Sequence, residues 1–147
     1  MESTRPLEPQ KRAIVVGASS GIGAALVREL VHSGYTVAAI ARREAKLQSM
    51  CDAINASQEK TAVLPIIHNV TNYDEVPTLF QQIVSDLGGL DLIIYNAGIL
   101  QKVSINEYNF EKDKSMMEIN TLGAIAWLNQ AAARFERAKA GHIVGVG

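Results

Sequence analysis

The stretch Ala13-Ile14-Val15-Val16-Gly17-Ala18-Ser19-Ser20-Gly21-Ile22-Gly23 decides how the rest of the chain reads. Its first four residues are apolar, mostly β-branched, and Gly17 closes the run. Such a run reads as a strand buried on both faces. From Ile22 to His32 the apolar residues Ile22, Leu26, Val27, Leu30 and Val31 fall at helical spacing until Gly34 stops the pattern. The glycines between them therefore occupy a strand-to-helix turn. Glycine lets the backbone turn tightly and lets a pyrophosphate approach where a Cβ would stand. The free N–H groups and positive end of the following helix then face the phosphates. The spacing is G-x-x-x-G-x-G rather than G-x-G-x-x-G, because Leu26 stands where the last glycine would be.

Strand and helix patterns alternate outward from this turn. Thr36–Ala41 reads as a second strand, and Arg43–Ala56 as a helix with Leu47, Met50 and Ile54 on one face. Ala62–Ile67 is a third strand, placed near a sheet edge by Pro65. Asn72–Leu87 is a helix that turns Val76, Leu79, Phe80, Ile83, Val84 and Leu87 inward. Leu92–Tyr95 is a fourth strand, Leu100–Asp113 a loop, Lys114–Lys139 a long helix, and Ile143–Val146 the start of a fifth strand. Alternation with short connections implies parallel pairing and right-handed crossovers. The expected fold is α/β, a doubly wound parallel sheet of Rossmann type. Ligands are expected at the carboxyl ends of its strands. Residues 1–11 read as a flexible tail and residues 12–147 as one domain.

Composition narrows the function classes. Fourteen Lys and Arg against fifteen Asp and Glu leave a net charge of −1, with no basic block. Electrostatic binding of nucleic acid is therefore not the main business. No apolar run approaches the roughly 18 residues of a membrane span. The single cysteine, Cys51, makes no intramolecular disulfide, so nothing asks for an oxidising compartment, and a cytoplasmic location is expected. His32, His68 and His142 are widely separated and share no metal-ligand spacing with Cys51, so no metal is expected.

The glycine variant resembles the cofactor loop of the short-chain dehydrogenase/reductase family. Asn96-Ala97-Gly98 after the fourth strand is similar to that family's N-A-G signature. Asn120, in Met117-Glu118-Ile119-Asn120-Thr121, matches the asparagine of its long fourth helix. Gly141-His142-Ile143-Val144 matches the start of its fifth strand. The resemblance implies an oxidoreductase that moves hydride between a nicotinamide cofactor and a carbonyl or alcohol carbon of a small molecule, in a homo-oligomer. It implies cofactor contacts from Gly17, Ser19, Ser20, Gly21, Ile22 and Gly23. Asn96, Ala97 and Gly98 are implied as further contacts. Asn120 is implied as a catalytic residue that helps place a water in a proton relay.

Departures from the family pattern carry information as well. Val16 stands where the family often has Thr, and Tyr95 where it often has Asn. Asn69-Val70 replaces the common Asp-Val pair that faces the adenine. Asn69 is expected to accept from the adenine amino group and donate to a ring nitrogen. An NAD site usually places Asp or Glu at the end of the second strand to bond the ribose 2′-OH. Here that position is Ala41, followed by Arg42 and Arg43. A guanidinium grips a 2′-phosphate with paired charged hydrogen bonds, so NADP(H) is preferred over NAD(H).

The family's catalytic Ser and Tyr-x-x-x-Lys lie beyond its fifth strand. The only Tyr-x-x-x-Lys spacing here is Tyr108 to Lys112, ahead of Asn120 and so out of place. The chain therefore reads as the amino-terminal, cofactor-binding part of a reductase, truncated after the fifth strand. By itself it is expected to be inactive, to bind NADP weakly if at all, and to self-associate. The alternative is a non-catalytic dinucleotide-binding sensor or subunit. A methyltransferase-like domain fits less well, because its nucleoside carries no pyrophosphate to explain Gly17, Gly21 and Gly23.

Overall fold

The computed structural model describes residues 10–147. The expected tail lies outside the described residues apart from Gln10 and Lys11. Lys11 is tied into the domain: its carbonyl accepts from the Thr36 N–H at 2.9 Å, and its Nζ donates to the Ser33 carbonyl at 3.0 Å.

Five parallel strands form one sheet: β1 (Arg12–Val16), β2 (Thr36–Ala41), β3 (Val63–Ile67), β4 (Leu92–Tyr95) and β5 (His142–Gly145). Their order is β3-β2-β1-β4-β5. The chain runs outward one way from β1, then returns and runs outward the other way, and the reversal lies between β1 and β4. In such sheets a crevice opens at the carboxyl ends of the strands on either side of the reversal. Pro65 sits on edge strand β3, as its missing N–H requires.

Side chains alternate across the sheet and divide the core in two. On one face Ala13, Val15, Val37 and Ala39 pack against α1 (Gly21–His32) and α2 (Glu44–Ala56), through Val27, Val31, Leu47 and Met50. On the other face Ile14, Val16, Ala38 and Ile40 meet α3 (Val76–Leu87) and α5 (Gly123–Ala138), through Phe80, Ile83, Trp127 and Phe135. Both faces are covered, which is why β1 and β2 are apolar along their length.

Several boundaries differ from the sequence reading, each for a local reason. β3 starts at Val63 rather than Ala62, because the Asn55 side chain captures this end of the strand. Its Oδ1 accepts from the N–H groups of Ala62 and Val63, and its Nδ2 donates to the Val63 carbonyl, each at 2.9 Å. The helix expected from Asn72 begins as a 3-10 turn at Tyr73–Glu75 and becomes α3 at Val76, with Pro77 in the first turn where its missing N–H costs nothing. The expected loop Leu100–Asp113 ends early. Asn109 caps α4 (Phe110–Met117) by accepting from the Lys112 N–H at 3.2 Å. The expected single helix Lys114–Lys139 is instead α4, a π-helical turn over Glu118–Leu122, and α5.

His68, just past β3, is the one polar residue counted in the core among the described residues. Its ring stands edge-on to Trp127 at 5.6 Å, its Nδ1 lies 3.3 Å from Glu75 Oε2, and its Nε2 has no partner. Burial pushes its pKa below the usual histidine value, and the nearby Glu75 carboxylate offsets this only in part.

Two measurements test this packing. Asn55→Ala removes three hydrogen bonds and leaves strand-end groups unpaired, so urea unfolding is expected to show a loss of about 1–3 kcal/mol. Asn55→Asp, which keeps the acceptor, is expected to lose less. For His68, the unfolded chain binds the proton more tightly than the folded one. Stability is then expected to fall as pH drops below about 6.5, towards the lowered folded pKa. His68→Leu is expected to flatten that part of a Tm-against-pH curve.

Candidate functional site

The turn after β1 is fixed by the ends of two neighbouring strands. The N–H groups of Gly17 and Ala18 both donate to the Ile40 carbonyl of β2, at 2.8 and 3.0 Å. The Gly17 carbonyl accepts from Asn96 Nδ2 at 3.1 Å, and the Asn96 N–H donates to the Val16 carbonyl at 2.8 Å. Gly23 packs directly on this knot, since a Cβ there would overlap the Gly17 carbonyl oxygen and crowd Asn96 Nδ2. Asn96 therefore serves as a brace between β1 and β4 as well as a candidate contact.

Gly21 shows the opposite situation. It opens α1 at φ +56°, and a Cβ built on it meets nothing within 4 Å. The conformation favours glycine, and the space beside it is open. Ser20 stands at the N-cap without a side-chain capping bond, and the first turn of α1 contains no acidic residue. The N–H groups there remain available to an anion.

A cavity of about 350 Å³ opens at the carboxyl ends of the strands. Of the residues singled out in the sequence, Gly17, Ser19, Ser20, Arg42, Arg43, Val70, Asn96, Ala97 and Gly98 line it. None of its lining residues is Asp or Glu. The wall thus combines glycine backbone, a bare helix start and guanidinium groups, a set suited to a ligand carrying several phosphates. That is the chemistry a phosphorylated dinucleotide presents, and the residues fit it.

Five of the singled-out residues lie outside the lining. Gly21, Ile22 and Gly23 form the first turn of α1 behind the wall. Asn69 Oδ1 accepts from both the N–H and the Oγ1 of Thr71, at 3.0 and 2.8 Å. The oxygen expected to meet an adenine is thus turned into its own loop, and Asn69 shapes the bend that presents Val70. Asn120 lies in the π-helical turn and grips Ile99: its Oδ1 accepts from the Ile99 N–H and its Nδ2 donates to the Ile99 carbonyl, each at 2.8 Å.

Sequence reasoning missed Ile40, His68, Ile99 and Ile119, which also line the cavity. For Ile40 and His68 the available signal was their place at the carboxyl ends of β2 and β3. Ile99 and Ile119 needed the Asn120 clamp to be seen. Among the described residues no three His, Cys, Asp or Glu side chains come together as a metal ion would need. No helix among them is long and apolar enough to cross a membrane.

Comparison with known proteins agrees with this geometry. An uncharacterized oxidoreductase of Staphylococcus haemolyticus is 32% identical over 134 residues, covering 91% of this chain and 56% of its own length. One from Myxococcus xanthus is 32% identical over 136 residues, covering 92% and 53%. The chain thus spans about half the length of the curated relatives it matches. Among solved structures, a short-chain type dehydrogenase/reductase from Mycobacterium marinum superposes with a TM-score of 0.83 at 30% identity, covering 92% of this chain and 54% of that one. ElxO, solved with NADP bound, superposes with a TM-score of 0.83 at 25% identity, covering 93% and 55%. The profile of the short chain dehydrogenase family matches residues 11–147, nearly the whole length. By that match, and by the sheet and glycine turn described above, the chain belongs to the short-chain dehydrogenase/reductase family.

Proposed function

We propose that this domain is the cofactor-binding portion of an NADP(H)-dependent reductase acting on a small carbonyl or alcohol substrate. One observation carries the cofactor choice. Arg42 and Arg43 line the cavity just past β2, Ala41 stands where a ribose-binding carboxylate would be, and no lining residue is acidic. A guanidinium favours a 2′-phosphate, whereas a carboxylate at Ala41 would repel it. The related ElxO was solved with NADP bound, which supports the same choice. NAD(H) is the second cofactor this wall could take.

When bound, the nicotinamide group supplies the hydride chemistry; the protein binds and orients. Gly17, Ser19 and Ser20 face the phosphates, with Gly21, Ile22 and Gly23 providing the helix start behind them. Val70, Asn96, Ala97 and Gly98 form the wall for the adenosine, and Asn69 holds the bend that carries Val70. Asn120 belongs at the proton-relay end and fixes Ile99 against the cavity. The acid/base pair for proton transfer is not among these 147 residues at the family position. Such groups are worth roughly a hundred- to ten-thousandfold in rate, so the chain alone turns over poorly. A cytoplasmic homo-oligomer is the setting this reading implies.

Two substitutions made in the full-length protein test the reading in NADPH and NADH titrations followed by cofactor fluorescence. Arg42→Ala combined with Ala41→Asp is expected to weaken NADPH about ten- to a hundredfold, because a charge-assisted hydrogen bond contributes roughly 1.5–3 kcal/mol. NADH is expected to hold or gain. Unchanged NADPH affinity removes Arg42 from the site. Gly21→Val places a branched Cβ in the open space beside the helix start, at a φ that β-branched residues avoid. It is expected to weaken both cofactors alike, and undiminished binding by a folded variant would show that the turn cradles no phosphate.

A further inference from the structure

The π-helical turn Glu118–Leu122 interrupts what would otherwise be one long helix. Such turns are rare, with i→i+5 bonding, and occur mostly as single-turn bulges inside α-helices. Two phenols reach this one from different elements. Tyr73, in the 3-10 turn before α3, donates to the Glu118 carbonyl at 3.2 Å. Tyr95, the last residue of β4, donates to the Ile119 carbonyl. The next residue along, Asn120, makes the paired hydrogen bonds to Ile99, and Ile99 and Ile119 both line the cavity.

We propose that Tyr73 and Tyr95 are positioning residues, whose phenols hold the π-helical turn in the register that lets Asn120 clamp Ile99 at the cavity wall. Placing that wall at a cofactor site rests on the functional reading above; the clamp itself does not.

An independent feature supports the pairing. Gly123 opens α5 immediately after the turn, and a Cβ there would collide with the Tyr95 hydroxyl and press within 3.2 Å of Val70. The missing side chain leaves the channel through which the phenol reaches the Ile119 carbonyl. Tyr95 and Gly123 are thus complementary, a large side chain on the strand matched to an absent one on the helix. Both phenols also remain protonated donors. Burial raises the pKa of each above the ordinary tyrosine value, with a further push on Tyr73 from Glu118 and on Tyr95 from Tyr73. The raised values keep both hydroxyls in the donor form at neutral pH. Tyr95 is buried, so its phenol meets no competing water, whereas Tyr73 is half-buried and is expected to contribute less.

The test is hydrogen–deuterium exchange at the Ile99 amide, whose N–H is bonded to Asn120 and lies far in sequence from either tyrosine's partner. In Tyr95→Phe and Tyr73→Phe, exchange at Ile99 is expected to accelerate about three- to tenfold per hydroxyl removed, the range that a net hydrogen bond corresponds to. Amides of β1 such as Val15 are expected to be unchanged. Asn120→Ala is expected to give the full acceleration by itself, and adding Tyr95→Phe to it is expected to add nothing at Ile99, because both act through one clamp. A merely structural role would instead speed Ile99 and Val15 together, in step with a fall in Tm. That result, unchanged exchange at Ile99, or additive effects with Asn120→Ala would overturn the proposal. If Tyr95→Phe does not fold, Tyr73→Phe at its half-buried site decides by the same criteria. A full-length wild-type protein that binds no NADPH yet shows the expected exchange pattern would refute the cofactor reading and uphold the clamp.

Discussion

The contact on which the rest depends is the one between the Gly17 carbonyl and the backbone of Gly23. Two strand ends and a helix start converge on that carbonyl's neighbourhood. β2 holds the turn through Ile40, β4 holds it through Asn96, and α1 closes down on it because Gly23 has no side chain. A single methyl group at Gly23 would push the helix start away from the sheet. That start would then no longer stand at the mouth of the crevice, and the bare N–H groups would face solvent instead of the cavity. The open helix start at the crevice is thus a by-product of helix–sheet packing.

Charge is distributed with the same economy. Helix starts favour negative neighbours, yet α1 offers none in its first turn, and α2 begins directly after the Arg42-Arg43 pair. Glu44 supplies a negative charge in the first turn of α2, so only the start of α1 is left electrostatically uncompensated by its own first turn. The free N–H groups of that start are suited to an anion. The carboxyl ends of β1, β2 and β4 supply no charge to the crevice.

How much of this was legible in the sequence varied with the kind of signal. Strands β1, β2 and β4 were readable because each is a short apolar run stopped by a polar or glycine residue. The glycine turn was readable because strand, glycines and helix occur in one continuous stretch. Arg42 and Arg43 could be placed from their position after β2 alone. What could not be read depended on contacts between distant segments. The Asn69 oxygen accepts from Thr71, two residues away, a local choice that the sequence does not announce. The π-helical turn was invisible because Ile119 to Gly123 has no breaker stronger than Asn and Gly, and because the tyrosines that brace it lie 45 and 24 residues upstream of their acceptors. Asn109, by contrast, carried an ordinary capping signal that the expected loop obscured.

The sheet order also has a consequence for how the chain reaches this state. β1 pairs with β2 and β2 with β3 across short crossovers, but the brace from Asn96 to Gly17 spans 79 residues. Loop-closure entropy grows with the logarithm of the span, so this pairing costs about 1 kcal/mol more than a 24-residue closure. Long-range pairings of this kind slow folding. The β1–α1–β2–α2–β3 half can collapse early on local contacts. The glycine turn is completed only when β4 docks beside β1, so the crevice is among the last parts of the domain to take shape. A nascent chain released before residue 96 would carry the glycine signature and yet have no site to show for it.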